Sequence, residues 1–226
     1  AVNHYIKTKE NLKDKDYDWV ASSLLNENVL QDNYGLYTNY YEKWLMNNDN
    51  DGNVISFSNQ INWREYFKNN GKVDLYTSDV GMEVGSGGYE EKELDHLSVN
   101  IGQILTGLLT LKKGGSLITK QYSFFETLNI TALAILTNIF DELYISKPVT
   151  SRPTNTEVYI VGKGYRGYEE SEYYINLFLK KIRKLEDYEL KIQNQTLDYD
   201  ERQKPLLEKQ LVTDEFLQSV YTSTKE

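Results

Sequence analysis

Segments patterned as strands alternate with segments patterned as helices from about residue 17 to residue 163. In the second half of this region the order is strand, helix, strand, helix and then two strands, as in half of a doubly wound sheet. The sequence therefore predicts an α/β fold. Because ligands of such sheets bind at the carboxyl ends of the strands, the residues that follow each strand are the first place to look for a site.

Hydrophobic spacing and turn residues locate the individual elements. A short strand is expected within residues 17–25. The glycines of residues 81–88 predict a loop without cofactor-binding character, since they fit no G-x-G-x-x-G pattern. The helix after this loop is expected to end before the lysines and glycines of residues 112–115. The remaining expected elements are strands at 73–79 and 116–122, helices at 90–111 and 125–140, and a hairpin whose strands end at Pro148 and begin at Glu157.

The pattern changes at Tyr168, after which apolar residues follow the three-to-four spacing of helices. We therefore expect two domains. Residues 1–167 form the domain that contains the sheet, and residues 168–226 form a helical C-terminal extension. The boundary between them is placed near Gly167.

Charge is distributed unevenly along the chain. The formal net charge is −9, which argues against a simple nucleic-acid binder, because phosphate contacts are usually made by clustered Lys and Arg. Residues 110–167 carry 7 basic and 4 acidic side chains, whereas acidic side chains outnumber basic ones on either side of this segment. The segment therefore predicts an electropositive face.

Composition excludes several kinds of site. The chain has no cysteine, so neither disulfides nor thiolate metal sites are available. Its two histidines, His4 and His96, lack ligand-like spacing, and no metal is expected. No apolar run approaches the roughly 18 residues that span a bilayer, and the first residues lack the apolar core of a signal peptide. We therefore expect an intracellular, cytoplasmic protein without a membrane partner.

Three ionisable residues, Asp79, Lys120 and Glu157, lie at the ends of strands that are expected to be neighbours in one sheet. Lys120 follows the apolar stretch of residues 116–119, and burying its ammonium group costs free energy unless the group is paired. Two interpretations stay open. The lysine and the carboxylates form a structural ion pair, or Lys120 acts as a general base at a catalytic site.

Three motifs are VDLYTSDVG at residues 73–81, LKKGGSLITKQY at residues 111–122 and KPVTSRPTNTEVYIVGKGY at residues 147–165. In this order they resemble the successive motifs of FtsJ-like ribose 2′-O-methyltransferases. The resemblance is closer to the versions carried by large nucleocytoplasmic DNA viruses, asfarviruses among them. Further similar stretches extend it over nearly everything from residue 1 to about residue 165.

The resemblance implies a Rossmann-like methyltransferase sheet and a reaction. A methyl group passes from S-adenosylmethionine to a ribose 2′-hydroxyl at the 5′ end of RNA, usually at the cap. The family uses a Lys-Asp-Lys-Glu tetrad, and Asp79, Lys120 and Glu157 match its last three members. In the implied mechanism Lys120 accepts or steers the hydroxyl proton while the two carboxylates orient it. A carboxylate at the start of the strand of Glu157 is then a requirement of the site.

The resemblance also implies contacts to cofactor and RNA. Asp79 and Asn53 are expected to contact S-adenosylmethionine. Asn53 follows Gly52 where the family commonly has Gly-Asp, so the adenine amino group would meet a neutral amide oxygen. Lys147 and Arg152 flank the site and are either contacts to RNA phosphates or ordinary surface charge.

The beginning of the family's pattern has no counterpart here. The first lysine of the tetrad and the glycine-rich cofactor loop would precede a segment like residues 1–5. We therefore expect a fragment that lacks the first strand and the glycine-rich loop of the methyltransferase domain. The alternative is a non-catalytic, methyltransferase-like subunit that assembles with protein partners in a viral particle or a capping complex.

Overall fold

The computed structural model describes residues 2–9, 12, 17–24, 32, 34–46, 51–81, 92–152, 156–193, 200–206 and 212–223. Their contacts divide the chain into two compact units, residues 1–53 and residues 54–226. The second unit contains the sheet. The predicted glycine loop of residues 81–88 lies outside the described residues except for Gly81.

The first unit has short elements. Within its described residues 17–24 the expected strand is reduced to one parallel bridge, between Ala21 and Trp44. Ala21 donates its N–H to the carbonyl of Lys43 at 2.8 Å and accepts from the N–H of Leu45 at 2.7 Å. The prediction of a strand is wrong for these residues. The partner segment comes directly after the 3-10 turn of residues 41–43, and only its residue Trp44 pairs with Ala21. The elements of this unit are α1 (Val2–Thr8), α2 (Leu36–Asn39) and the 3-10 turn (Tyr41–Lys43).

The second unit is a mixed α/β structure, as the sequence predicts. The predicted order of strands and helices between residues 73 and 165 is confirmed. The elements are α3 (Phe57–Asn70), β1 (Val73–Ser78), α4 (Lys92–Thr110), β2 (Leu111–Gln121), α5 (Thr127–Ile139), β3 (Phe140–Ser146), β4 (Val158–Tyr165), α6 (Tyr168–Gln193), a 3-10 turn (Glu201–Gln203) and α7 (Asp214–Ser223).

The four strands form one sheet in the order β1-β2-β4-β3. The first pair, β1 and β2, is parallel, and β4 runs antiparallel to both of its neighbours. The predicted hairpin of β3 and β4 is confirmed. Because of these directions, the carboxyl ends of β1 and β2 and the beginning of β4 lie at the same edge of the sheet.

Helix α4 ends before the lysines and glycines of residues 112–115, as predicted, but β2 begins earlier than the predicted residue 116. Residues 112–115 are the irregular beginning of this strand. Over two residues of β1, the paired residue on β2 advances from Leu111 to Ser116, so the intervening residues bulge out of the ladder. Gly114 has a φ of 80°, a left-handed conformation that glycine adopts without steric cost.

Helix α4 is the central element of the core. It packs against α3, α6, β1 and β2. Its apolar side chains have the three-to-four spacing that the sequence predicts, and Leu97, Ile101, Leu105 and Leu108 have no exposed surface. The apolar face of α6 is buried in the same core. The predicted boundary near Gly167 stays a prediction.

Helices α3 and α4 approach each other closely at Gly102. A methyl group added to Gly102 would lie 2.4 Å from the carbonyl oxygen of Val54, the residue three before α3. The buried amide of Gln60 joins the two helices by donating to the carbonyls of Val54 at 2.6 Å and Gly102 at 3.1 Å. The absence of a side chain at Gly102 therefore permits this contact.

We predict that Gly102→Ala lowers the free energy of unfolding by about 1–3 kcal/mol, because backbone must move to admit the methyl group. Helix propensity alone predicts a change of the opposite sign, a gain of about 1 kcal/mol. These two expectations are distinguished by the urea concentration at the midpoint of unfolding. The comparison requires that wild type and variant have the same dependence of the unfolding free energy on urea concentration. A midpoint at or above that of the wild type would show that the close approach is dispensable.

Candidate functional site

The three ionisable residues predicted from the sequence lie at one edge of the sheet. Asp79 directly follows β1, Lys120 is the penultimate residue of β2, and Glu157 directly precedes β4. Ser78, the last residue of β1, pairs with Thr119 of β2. The residues that follow them in the chain, Asp79 and Lys120, are therefore adjacent. The structure thus brings together what the order of strands predicts.

Lys120 and Asp79 form an ion pair. The distance from Nζ of Lys120 to Oδ1 of Asp79 is 2.6 Å. The side chain of Lys120 is 10% exposed and that of Asp79 is 68% exposed, so the pair is buried at its cationic end and open to solvent at its anionic end. A charge-assisted hydrogen bond of this length offsets part of the cost of burying the ammonium group.

Tyr159 contacts both carboxylates, and the sequence analysis missed it. Its hydroxyl lies 3.5 Å from Oδ1 of Asp79 and 3.3 Å from Oε1 of Glu157, and its single proton serves one acceptor at a time. Burial, reinforced by the charges of Asp79 and Glu157, raises the pKa of Tyr159 to about 12. The phenol is therefore a hydrogen-bond donor at neutral pH. Alternation along β4 was the available signal, since Glu157 and Tyr159 are two residues apart and share a face.

Tyr122 is a second tyrosine close to Lys120. It is two residues beyond Lys120, and the Nζ of Lys120 is 6.0 Å from the centre of its ring. The same ring packs against His96 of α4 with centroids 4.4 Å apart. Burial raises the pKa of the Tyr122 hydroxyl, Lys120 opposes that effect, and Glu157 and Asp79 add to it.

The two residues predicted to contact RNA lie in the segment between β3 and β4. Lys147 donates from Nζ to the backbone carbonyl of Glu157 at 2.8 Å, which places its cationic group beside the carboxylate residue of the site. Arg152 is exposed. The structure therefore brings Lys147 to Glu157 and leaves Arg152 accessible from solvent.

Asn53, the other predicted cofactor contact, ends the first unit. It follows Gly52, which has a φ of 76° and on which a side chain would meet the backbone carbonyl of Ser23. The N–H of Asn53 donates to Oδ1 of Asp51 at 3.0 Å. Because Asn53 and Asp79 belong to different units, their joint contact with a cofactor stays a prediction.

The described part of the chain shows neither a metal site nor a membrane-spanning helix. No group of three or more His, Cys, Asp or Glu side chains there is arranged to hold a metal ion. None of the helices in that part combines the length and the apolar character needed to cross a membrane.

Comparison with known proteins identifies the family. The family model described as FtsJ-like methyltransferase matches residues 18–165. The chain belongs to this family. The matched residues include Asp79, Lys120 and Glu157, so the resemblance inferred from the motifs is confirmed at the level of the family.

Viral and animal proteins are among the relatives of this FtsJ-like chain. The probable methyltransferase EP424R of African swine fever virus (strain Badajoz 1971 Vero-adapted) is 39% identical over 175 residues, which cover 72% of the chain and 41% of that relative. The uncharacterized protein L511 of Acanthamoeba polyphaga mimivirus is 37% identical over 163 residues, covering 70% and 21%. The cap-specific mRNA (nucleoside-2′-O-)-methyltransferase 2 of Mus musculus is 28% identical over 175 residues, covering 75% and 22%. The chain therefore spans less than half the length of each of these relatives.

We predict that Asp79→Asn destabilises the fold by about 1–3 kcal/mol, because it leaves the buried ammonium of Lys120 without its charged partner. Asp74→Asn is the matched control. It breaks the ion pair with Lys112 on the same two strands, where both side chains are at least half exposed, and such surface pairs contribute about 0–1 kcal/mol. Urea unfolding of both variants measures the difference. Equal losses would show that burial of Lys120 does not depend on Asp79.

Proposed function

We propose that the protein is an S-adenosylmethionine-dependent RNA ribose 2′-O-methyltransferase that acts at the capped 5′ end of mRNA. The observation that carries this proposal is the buried lysine paired with Asp79, beside Glu157 and Tyr159, at the edge of the sheet where ligands bind. Membership of the FtsJ-like family supports methyl transfer. The name of the Mus musculus relative supports the choice of a capped RNA and of the 2′-oxygen.

The exposed end of the ion pair fits a cationic cofactor. S-adenosylmethionine supplies an electrophilic methyl group on a positively charged sulfur. The side chain of Asp79 is 68% exposed, so its carboxylate is accessible to a ligand while Oδ1 contacts Lys120 and Tyr159. In this proposal Asp79 contacts the cofactor through its carboxylate, and Asn53 accepts from the adenine amino group.

The lysine and the carboxylates handle the proton of the substrate. Attack by the ribose 2′-oxygen forms an oxygen–carbon bond and breaks the sulfur–carbon bond, so the hydroxyl must lose its proton. In this proposal Lys120 enters the step as the neutral amine and accepts that proton, becoming an ammonium ion, and Asp79 and Glu157 orient it. Tyr159 remains protonated at neutral pH and holds the two carboxylates in place. Most of the rate acceleration is assigned to positioning of the two reactants.

The cationic side chains between β3 and β4 are assigned to the RNA backbone. Lys147 is fixed to the carbonyl of Glu157, and Arg152 is exposed in the same segment. Both belong to residues 110–167, where basic side chains outnumber acidic ones. Phosphate contacts from these two residues would orient the 5′ end of the RNA without reading its sequence.

We predict that Lys120→Met in the full-length protein lowers methyl transfer to a capped RNA by a factor of about 10²–10⁴, the usual contribution of a proton-handling side chain. Lys112→Met is the control, because Lys112 is on the same strand and pairs with Asp74 away from the site. It should retain wild-type activity. Incorporation of a labelled methyl group into the RNA, at saturating cofactor, measures both.

Other results would contradict parts of the proposal. Full activity of Lys120→Met would exclude this lysine from the reaction while leaving the family's chemistry possible at another site. A wild-type protein that binds no S-adenosylmethionine and transfers no methyl group would instead favour the non-catalytic alternative, an assembly subunit of a viral particle or capping complex.

A further inference from the structure

Glu93, in the first turn of α4, is a buried carboxylate that holds the segment following β2. It is 6% exposed. It accepts from the hydroxyl of Ser123 at 2.6 Å, from the backbone N–H of Phe125 at 3.0 and 3.1 Å, from the backbone N–H of Glu126 at 2.9 Å and from the side-chain amide of Asn129 at 2.9 Å. Four donor groups from one short segment thus converge on one side chain.

This carboxylate is stabilised by hydrogen bonds and not by a cation. Among the described residues no Lys or Arg forms an ion pair with Glu93. Burial of a charge is tolerated when hydrogen bonds satisfy it, and the N-terminus of α5 adds a favourable helix dipole. Glu126, the N-cap residue of α5, makes no side-chain capping bond of its own. Glu93 therefore caps α5 from a different helix.

The contacts of Glu93 hold the chain at the strand end that carries Lys120. Glu93 begins the helix that follows the strand of Asp79 in the chain. The donors it holds begin at Ser123, directly after Tyr122, whose ring lies against Lys120. His96, one turn after Glu93 on the same face of α4, contributes as well, since it packs on the ring of Tyr122. The position of the chain as it leaves β2 is thus set by α4.

We propose that Glu93 is a positioning residue for the methyltransferase site. It contacts neither Lys120 nor Asp79 directly. It fixes residues 123–126 so that Tyr122 stays against Lys120, and the ammonium group of Lys120 keeps its place beside Asp79. This inference rests on the proposed function, because it assigns a consequence for methyl transfer to a contact outside the catalytic group.

The test compares substitutions of two glutamates in the full-length protein. Each glutamate accepts a backbone N–H at the N-terminus of another helix, Glu93 at α5 and Glu186 at α3. Glu93→Gln keeps the size of the side chain and removes the charge that gathers the donors. Glu186→Gln is the matched control, because Glu186 of α6 accepts from the N–H of Phe57 at the start of α3 and touches neither strand end of the site. Three quantities are measured for both variants and the wild type: kcat, the KM for capped RNA and the dissociation constant of S-adenosylmethionine. All measurements are made at a temperature below the unfolding transition of each protein.

We expect Glu93→Gln to lower kcat by about 10- to 100-fold, the effect of a misplacement of about 1 Å, with the RNA KM and the cofactor affinity changed far less. Amide hydrogen exchange at Phe125 and Glu126 should accelerate in the same variant. Glu186→Gln should leave kcat unchanged even where it lowers stability. If Glu93→Gln does not fold, Ser123→Ala replaces it in the test. This variant removes one hydrogen-bond donor to Glu93, and we expect a smaller fall in kcat.

An active wild type together with an unchanged kcat in folded Glu93→Gln would overturn the inference and leave the proposed function intact. The same holds if Glu186→Gln loses as much kcat as Glu93→Gln, since the effect would then reflect general loss of stability. A wild type without methyl transfer would overturn the proposed function, and the inference with it.

Discussion

Burial of the ammonium group of Lys120 is the constraint on which the site depends. A cation in this position without an acceptor would destabilise the fold by several kcal/mol. Asp79 supplies the acceptor at 2.6 Å because β1 and β2 are parallel and paired so that both end at the same level. Helix α4 connects these strands and packs against both. The geometry of the site therefore depends on the packing of α4 against the paired strands β1 and β2.

The antiparallel strand β4 completes the site by bringing its first residues to the edge where β1 and β2 end. Tyr122 directly follows β2 and is two residues beyond Lys120, and Glu157 directly precedes β4 and is two residues before Tyr159. The result is an ammonium group paired with Asp79 and near the ring of Tyr122, with the hydroxyl of Tyr159 between the carboxylates of Asp79 and Glu157. Such a group of donors and acceptors suits a hydroxyl substrate and a cationic cofactor at once, which is what methyl transfer to a ribose requires.

Part of this site could be predicted from the sequence and part could not, for a physical reason. Asp79 and Lys120 were found because the ends of strands are marked by local patterns of apolar and polar residues. The contact between Tyr159 and Asp79 joins residues 80 positions apart and depends on the register of β4 against β2, which the local pattern does not specify. Glu93 is likewise defined by partners 30 to 36 residues away. The lysines and glycines of residues 112–115 predict the end of a helix, and their pattern does not show that they also form the bulged beginning of β2.

A crystal structure of the full-length protein with S-adenosylhomocysteine and a capped RNA tests the central claim most directly. The account predicts that the 2′-oxygen of the target ribose lies within about 3.2 Å of Nζ of Lys120, the reach of a proton-handling group, with Asp79 and Glu157 around it. A complex in which the 5′ end of the RNA occupies another edge of the sheet, with Lys120 still paired with Asp79, would contradict it. The lysine would then be a structural ion pair and no part of a catalytic site.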